Sequence, residues 1–109
     1  MAITRITPDY SVAPQIAPDE VAGLAAQGFR TIMCNRPDGE DHGQPPATAI
    51  RAEAERHGLV FAHVPVVSGQ MSPGNVEAFK AAMAGLPGPV LAYCRSGTRS
   101  RNLWMLAQS

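Results

Sequence analysis

The sequence predicts a three-layer α/β domain, with a mainly parallel sheet flanked by helices. Apolar helical stripes alternate with short apolar runs along the chain. Three glycines, Gly28, Gly58 and Gly88, fall thirty residues apart, close to the length of one strand-plus-helix unit. Each apolar run is separated from the next by the long crossover that parallel neighbours need. At 109 residues, 45% of them hydrophobic, residues 1–109 make a single domain and leave no room for a second.

Pro18 suits a first helical position, Val21, Leu24 and Ala25 form one apolar face, and Gly28 stops that helix. Phe29–Cys34 then reads as a strand. Pro46 opens a second helix with Ala47, Ile50, Ala54 and His57 at helical spacing, ended by Gly58, and Leu59–Val67 reads as the next strand. Ser72 can cap and Pro73 open a third helix, whose inner stripe is Val76, Phe79, Met83 and Leu86. Pro87, Gly88 and Pro89 stop it. Pro89–Tyr93 reads as a buried strand, and Arg99 is expected to open a last helix that packs Leu103, Trp104 and Leu106 on the sheet. Residues around the three glycines do not match between units, so the interval reflects supersecondary regularity and not a duplicated sequence.

Nine Lys plus Arg against nine Asp plus Glu give no net charge, which argues against capture by nucleic acid or a membrane surface. No apolar run reaches the ~18 residues of a membrane helix, and MAITRITPDY lacks the apolar core of a signal peptide, so a cytoplasmic protein is expected. Two cysteines, Cys34 and Cys94, make neither a disulfide scaffold nor a four-cysteine zinc site. His42, His57 and His63 fall on a loop, a helix end and a strand, without metal-ligand spacing, so no metal and no cofactor are expected.

Ligands of parallel sheets sit beyond the carboxyl ends of the strands. Three segments meet there: Asn35–Gln44, Ser68–Met71 and Cys94–Ser100 (CRSGTRS). Cys94 ends a strand, Gly97 permits a positive φ, and the helix N-terminus adds partial positive charge, so the turn Arg95, Ser96, Gly97, Thr98 makes an anion cradle that favours a thiolate. Arg99, with Arg95 contributing less, offers planar donors to sulfur and substrate, and the Ser100 hydroxyl is placed to hydrogen-bond the sulfur. Cys94 is therefore the candidate nucleophile and is expected to alkylate well ahead of Cys34. Core packing suits Cys34, with a resolving or sulfur-accepting thiol as the alternative. Arg36 is either a substrate-anion contact or a solvated loop arginine. The Asp38–Pro46 segment is a flexible surface loop or a lid.

YCRSGTRS, with SVAPQI, FRTIMCNRPDGE and VPVVSGQMSP, resembles a bacterial family of small phosphatase-like sulfurtransferases. The likeness spans about Ile6 to Leu106. It implies a fold like that of dual-specificity phosphatases, with the rhodanese fold as second choice, Cys94 as nucleophile and Arg99 as loop arginine. Some family members are fused to a metallo-β-lactamase-like persulfide dioxygenase, which the resemblance implies as a partner. Members often continue further, so the end at Ser109 is expected to mean a shortened last helix or a trimmed chain.

Two features separate the chemistries. Phosphatases of this type resemble one another in having five residues between Cys and Arg, whereas four separate Cys94 from Arg99 here, as in rhodaneses, and Ser100 takes the phosphatase arginine position. Phosphomonoester cleavage also needs a general acid, and Ser68, Gly69, Gln70 and Met71 supply no carboxylate where one commonly sits. Asp38, Glu40 or Asp41 could still swing in. The expected function is a thiosulfate or persulfide sulfurtransferase that carries a sulfane sulfur on Cys94 to a thiol or other small nucleophile. The alternatives are a cysteine-dependent phosphatase and a non-enzymatic persulfide carrier or sensor.

Overall fold

In the computed structural model, which describes residues 2–108, a five-stranded sheet runs in the order β1-β2-β5-β3-β4. Met1 and Ser109, the residue where the last helix is expected to be cut short, lie outside the described residues. The strands are β1 (Thr4–Thr7), β2 (Tyr10–Ala13), β3 (Thr31–Cys34), β4 (Val60–His63) and β5 (Val90–Tyr93). β1 pairs antiparallel with β2 and every other pairing is parallel. The helices are α1 (Val21–Ala26), entered through a 3-10 turn at Pro18–Glu20, α2 (Ala47–Arg56), α3 (Pro73–Gly85) and α4 (Thr98–Ala107).

Strand alternation divides the core between the two faces. Leu91 and Tyr93 of β5 pack with Ile32, Cys34, Leu24 and Ile50 under α1 and α2. Val90 and Ala92 pack with Met33, Tyr10, Phe79 and Leu103 under α3 and α4. The expected three-layer architecture is present, with helices on both faces.

The N-terminal hairpin β1–β2 has no counterpart in the expected elements. Its strands, TRIT and YSVA, are as short as the other three but are broken by polar residues where β5 (VLAY) is an unbroken apolar run, and the turn pair Pro8–Asp9 between them is the one sequence signal for the hairpin. β4 is shorter than the expected Leu59–Val67, because Pro65 has no N–H to give the ladder. Val64 and Val66 still donate to the Cys34 and Asn35 carbonyls, so the segment runs on beside the end of β3. Gly28 and Gly58 follow their helices with φ of 97° and 76°, whereas α3 ends at Gly85 and Gly88 has no positive φ. The stripe of α3 faces the core as expected, and Ser72 Oγ accepts from Asn75 N at its start.

Candidate active site

β5 lies between β2 and β3, and the chain leaves its carboxyl end at Cys94. The segment after β2 braces the adjoining turn: Cys94 N donates to Ala13 O, and Gln15 N donates to Arg95 O. Gly97 caps α4 with φ +95°, a left-handed conformation open to glycine, and an added Cβ would stand 3.5 Å from the Ala13 carbonyl atoms. This turn aims the Gly97 N–H at Cys94 Sγ, 3.0 Å away. Ser96 Oγ and Thr98 Oγ1 bond each other at 3.0 Å. α4 starts at Thr98, one residue before the expected opener Arg99, and places the positive end of its dipole at the turn.

Arg99 is nearly buried and rigidly held. Its Nη1 donates to Glu40 Oε2 (2.7 Å) and to the Val66 carbonyl (2.8 Å), and its Nη2 donates to Glu40 Oε1 (2.9 Å). Three of the five guanidinium hydrogens are thereby used, leaving the Nε edge as a two-donor fork. The bonds to Glu40 keep Arg99 charged beyond its ordinary range, and contact with Cys94 adds to this. The same bonds, with Arg36 helping against partial burial, lower the Glu40 carboxyl to about 2.

The segment between β3 and α2 is an ordered brace. Gln44 Oε1 accepts from the Glu40 and Asp41 amides while its Nε2 donates to Pro37 O. Asp38 Oδ1 accepts the first amide of α2, from Ala47. Glu40 on Arg99 and Asp41 on Arg95 (3.0 Å) tie the segment to the Cys94–Arg99 loop, while none of its residues lines the cleft beside that loop. Arg36 is neither a solvated arginine nor a substrate contact lining the cleft beside that loop. It is 2% exposed, with Nε on Glu40 Oε1, Nη1 on Gln15 Oε1 and Nη2 on Asp41 Oδ2. Ser100 also departs from expectation: its hydroxyl donates to Asn35 Oδ1 (2.8 Å), while Asn35 Nδ2 donates to Val64 O. The sulfur accepts from the Gly97 amide instead.

Glu40 and Asn35 are the residues of the candidate site whose partners, Arg99 and Ser100, sequence reasoning missed. The i, i+4 spacing of Arg36 and Glu40 was the one available signal for Glu40 as a carboxylate partner; the role of Asn35 had none, since it depends on Ser100 arriving from sixty-five residues away.

The cleft beside the catalytic loop has a volume of about 850 Å³. Arg95, Ser96, Thr98 and Arg99 line it together with Val66, Val67, Ser68, Gly69 and Met71 of the β4–α3 loop and with Asn102 and Leu106 of α4. Leu106, expected to pack on the sheet, is 47% exposed and lines the cleft; Trp104 instead stacks on Tyr10 at 4.8 Å. Cys94 is 0% exposed, as covered as Cys34, so its expected reactivity depends on the loop around it and not on open access. Cys34 lies in register with Tyr93 and packs in the α1–α2 core, where burial pushes its thiol up. Cys94 comes directly after Tyr93 and by alternation is directed to the face opposite Cys34. Among the described residues no three His, Cys, Asp or Glu side chains are grouped to hold a metal ion, and no helix is long and apolar enough to cross a membrane.

Residues 2–109 match the family described as β-lactamase hydrolase-like protein, phosphatase-like domain. The chain is 37% identical over 108 residues to the β-lactamase hydrolase-like protein of Xylella fastidiosa and 35% identical over 109 residues to that of Agrobacterium fabrum. It covers 99% and 100% of its own length in these pairings and spans a quarter of the length of these curated relatives. Among solved structures, a putative phosphatase from Neisseria meningitidis superposes with a TM-score of 0.91 at 36% identity, covering 99% of this chain and 77% of that one. The catalytic core of a PP-IP phosphatase from S. cerevisiae shares the fold at 10% identity, with a TM-score of 0.66 over 87% of this chain and 56% of that one. The fold is therefore phosphatase-like, as expected from the sequence.

Proposed function

This chain belongs to the family of the phosphatase-like domain of β-lactamase hydrolase-like protein, and from that premise we propose that it is a cysteine-dependent sulfurtransferase. The Cys94 thiolate attacks the outer sulfur of a sulfane donor. The donor S–S bond breaks, its electron pair departs with the leaving group (sulfite, when thiosulfate is the donor), and Cys94 keeps the sulfur as a persulfide. An acceptor thiolate then attacks that outer sulfur and the Cys94 thiolate leaves. Gly97 N–H and Arg99 present donors to the sulfur through this exchange.

One observation carries the reading: each carboxylate that could serve as a general acid is committed elsewhere. Glu40 is ionised and bound by both oxygens to Arg99, Asp38 caps α2, and Asp41 bridges Arg36 and Arg95. Loop residues Ser68 to Met71 contain none. An alkoxide leaving group needs such a proton, whereas sulfite or a thiolate does not. The four-residue spacing from Cys94 to Arg99 points the same way.

A second reading is favoured by the comparisons. The similar solved structures are named as phosphatases, so the comparisons back a cysteine-dependent phosphatase better than sulfur transfer. The amide turn and the Arg99 donors not used by Glu40 and Val66 would hold a phosphoryl group, and an aryl phosphate with a good leaving group needs little acid assistance. The deciding experiment assays sulfite release from thiosulfate and aryl phosphate hydrolysis on one preparation, with intact mass. A one-sulfur gain that Cys94→Ser abolishes is expected. Hydrolysis through Cys94 with no sulfur gain from any donor would hand the site to the phosphatase reading.

A further inference from the structure

The cleft beside the catalytic loop exceeds what a five-atom inorganic donor requires. Its 850 Å³ falls among clefts that bury an organic ligand. Its lining also divides by chemistry. The β4–α3 loop and the far end of α4 contribute apolar Val67, Met71 and Leu106, while the catalytic loop contributes the cation of Arg95. Four large hydrophobics are left exposed among the described residues, and two of them, Val67 (51%) and Leu106 (47%), line this cleft. A smaller hollow of about 330 Å³ shares Met71 and Leu106 and extends the apolar surface to Pro73 and Val76.

Arg95 is the lining cation free to change partners. Its side chain is 68% exposed, and its Nε meets Asp41 Oδ2, an oxygen that Arg36 Nη2 already holds at 2.6 Å. An exposed pair of this kind contributes little, so exchanging Asp41 for a ligand carboxylate costs little. Arg99, locked between Glu40 and Val66, has no such freedom.

We propose, resting on the sulfur-transfer reading, that the donor is an organic persulfide bearing a carboxylate, with its carbon skeleton on Val67, Met71 and Leu106 and its carboxylate on Arg95. Cys94 thiolate attacks the outer sulfur of R–S–SH. The S–S bond breaks, its electron pair leaves on R–S⁻, and the persulfide proton passes through solvent to that thiolate, giving R–SH and Cys94–S–S⁻. No oxidant or reductant is consumed.

The test measures Cys94 persulfidation by rapid trapping and intact mass with glutathione persulfide, the persulfide of its dialkyl ester, and thiosulfate. In the wild-type chain the free acid should load Cys94 about tenfold faster than the ester at limiting donor, as for one charge-assisted contact, and faster than thiosulfate. Arg95→Gln should bring the acid-to-ester ratio close to one. Leu106→Asp, at an exposed position that the fold can spare, should slow both organic donors relative to thiosulfate. An acid-to-ester ratio that survives Arg95→Gln overturns the proposal. So does thiosulfate loading Cys94 ahead of both organic donors, which would leave the sulfurtransferase reading standing. If none of the three leaves sulfur on Cys94, the reading and the proposal fall together.

Discussion

Two neighbouring strands of the sheet lead to cysteines, Cys34 as the last residue of β3 and Cys94 as the first residue after β5, and one residue of register separates their surroundings. Cys34 closes β3 opposite Tyr93, facing the α1–α2 core; Cys94 comes one position after Tyr93 and faces the other way. Both are buried, so burial does not distinguish a nucleophile from a packing residue here. The connection that leaves each cysteine does distinguish them. After Cys94 the chain turns at once through Gly97 into α4, which brings an amide, a helix N-terminus and Arg99 to the sulfur. After Cys34 it runs through a twelve-residue connection to α2, and the thiol donates to the Arg36 carbonyl (3.2 Å). A tight strand-to-helix turn surrounds its sulfur with donors, whereas a long crossover turns its polar groups into supports for the neighbouring loop.

The sharpest way to break this contrast is to remove each cysteine in turn. Cys94→Ser should abolish sulfur loading and turnover, a loss of about 10³-fold or more, as expected for removal of a covalent nucleophile. Cys34→Ser should leave turnover within a few-fold and instead cost about 1–3 kcal/mol by placing a hydroxyl in an apolar core, measured by denaturant unfolding. Comparable activity losses would mean that the two strand ends act together.

Glu40 is where the two regions meet. Glu40→Gln keeps the shape but loses the charge that fixes Arg99, and turnover should fall by about 10–100-fold, mostly in kcat, with Cys94 still able to accept sulfur. Because the folded-state carboxyl is lowered to about 2, its contribution to stability is full above the ordinary carboxyl range and is lost as the pH falls towards 2. Wild type should therefore be more stable than Glu40→Gln at pH 7 and converge with it near pH 2 in thermal unfolding. A constant gap would show that the ion pair does not supply the difference.

The smaller tests probe how each connection is built. Gly97→Ala forces a side chain into positive φ beside Ala13 and should cost about 1–2 kcal/mol together with turnover. Asp38→Ala removes the carboxylate that accepts the Ala47 amide. It should cost about 1 kcal/mol in unfolding experiments, with turnover near that of wild type.

Legibility divides along the same line. The crossover helices, three of the four parallel strands and the Cys94 turn were readable because they depend on local rules: proline at helix starts, glycine at helix stops, and Cys94, Gly97 and Arg99 closely spaced after a strand. The β1–β2 hairpin escaped because polar residues interrupt both of its strands, TRIT and YSVA. Arg36, Glu40, Ser100 and Asn35 were each visible as polar residues near the edge. Their pairings bring together segments four to sixty-five residues apart, and no local pattern states which carboxylate reaches which guanidinium. The exposed Leu106 was misplaced because its helical spacing fits an inner face, although α4 leaves it at the cleft.

The complete covering of Cys94 has a consequence for chemical longevity. A thiolate held in open solvent reacts with peroxide to sulfenic acid and can proceed irreversibly to sulfinic and sulfonic acids. The Cys94 sulfur is fully covered and in contact with the Gly97 amide and the Arg99 guanidinium, so an oxidant has to displace these neighbours to reach it. On the sulfur-transfer reading proposed above, selectivity between a donor and a damaging oxidant would come from what opens the turn.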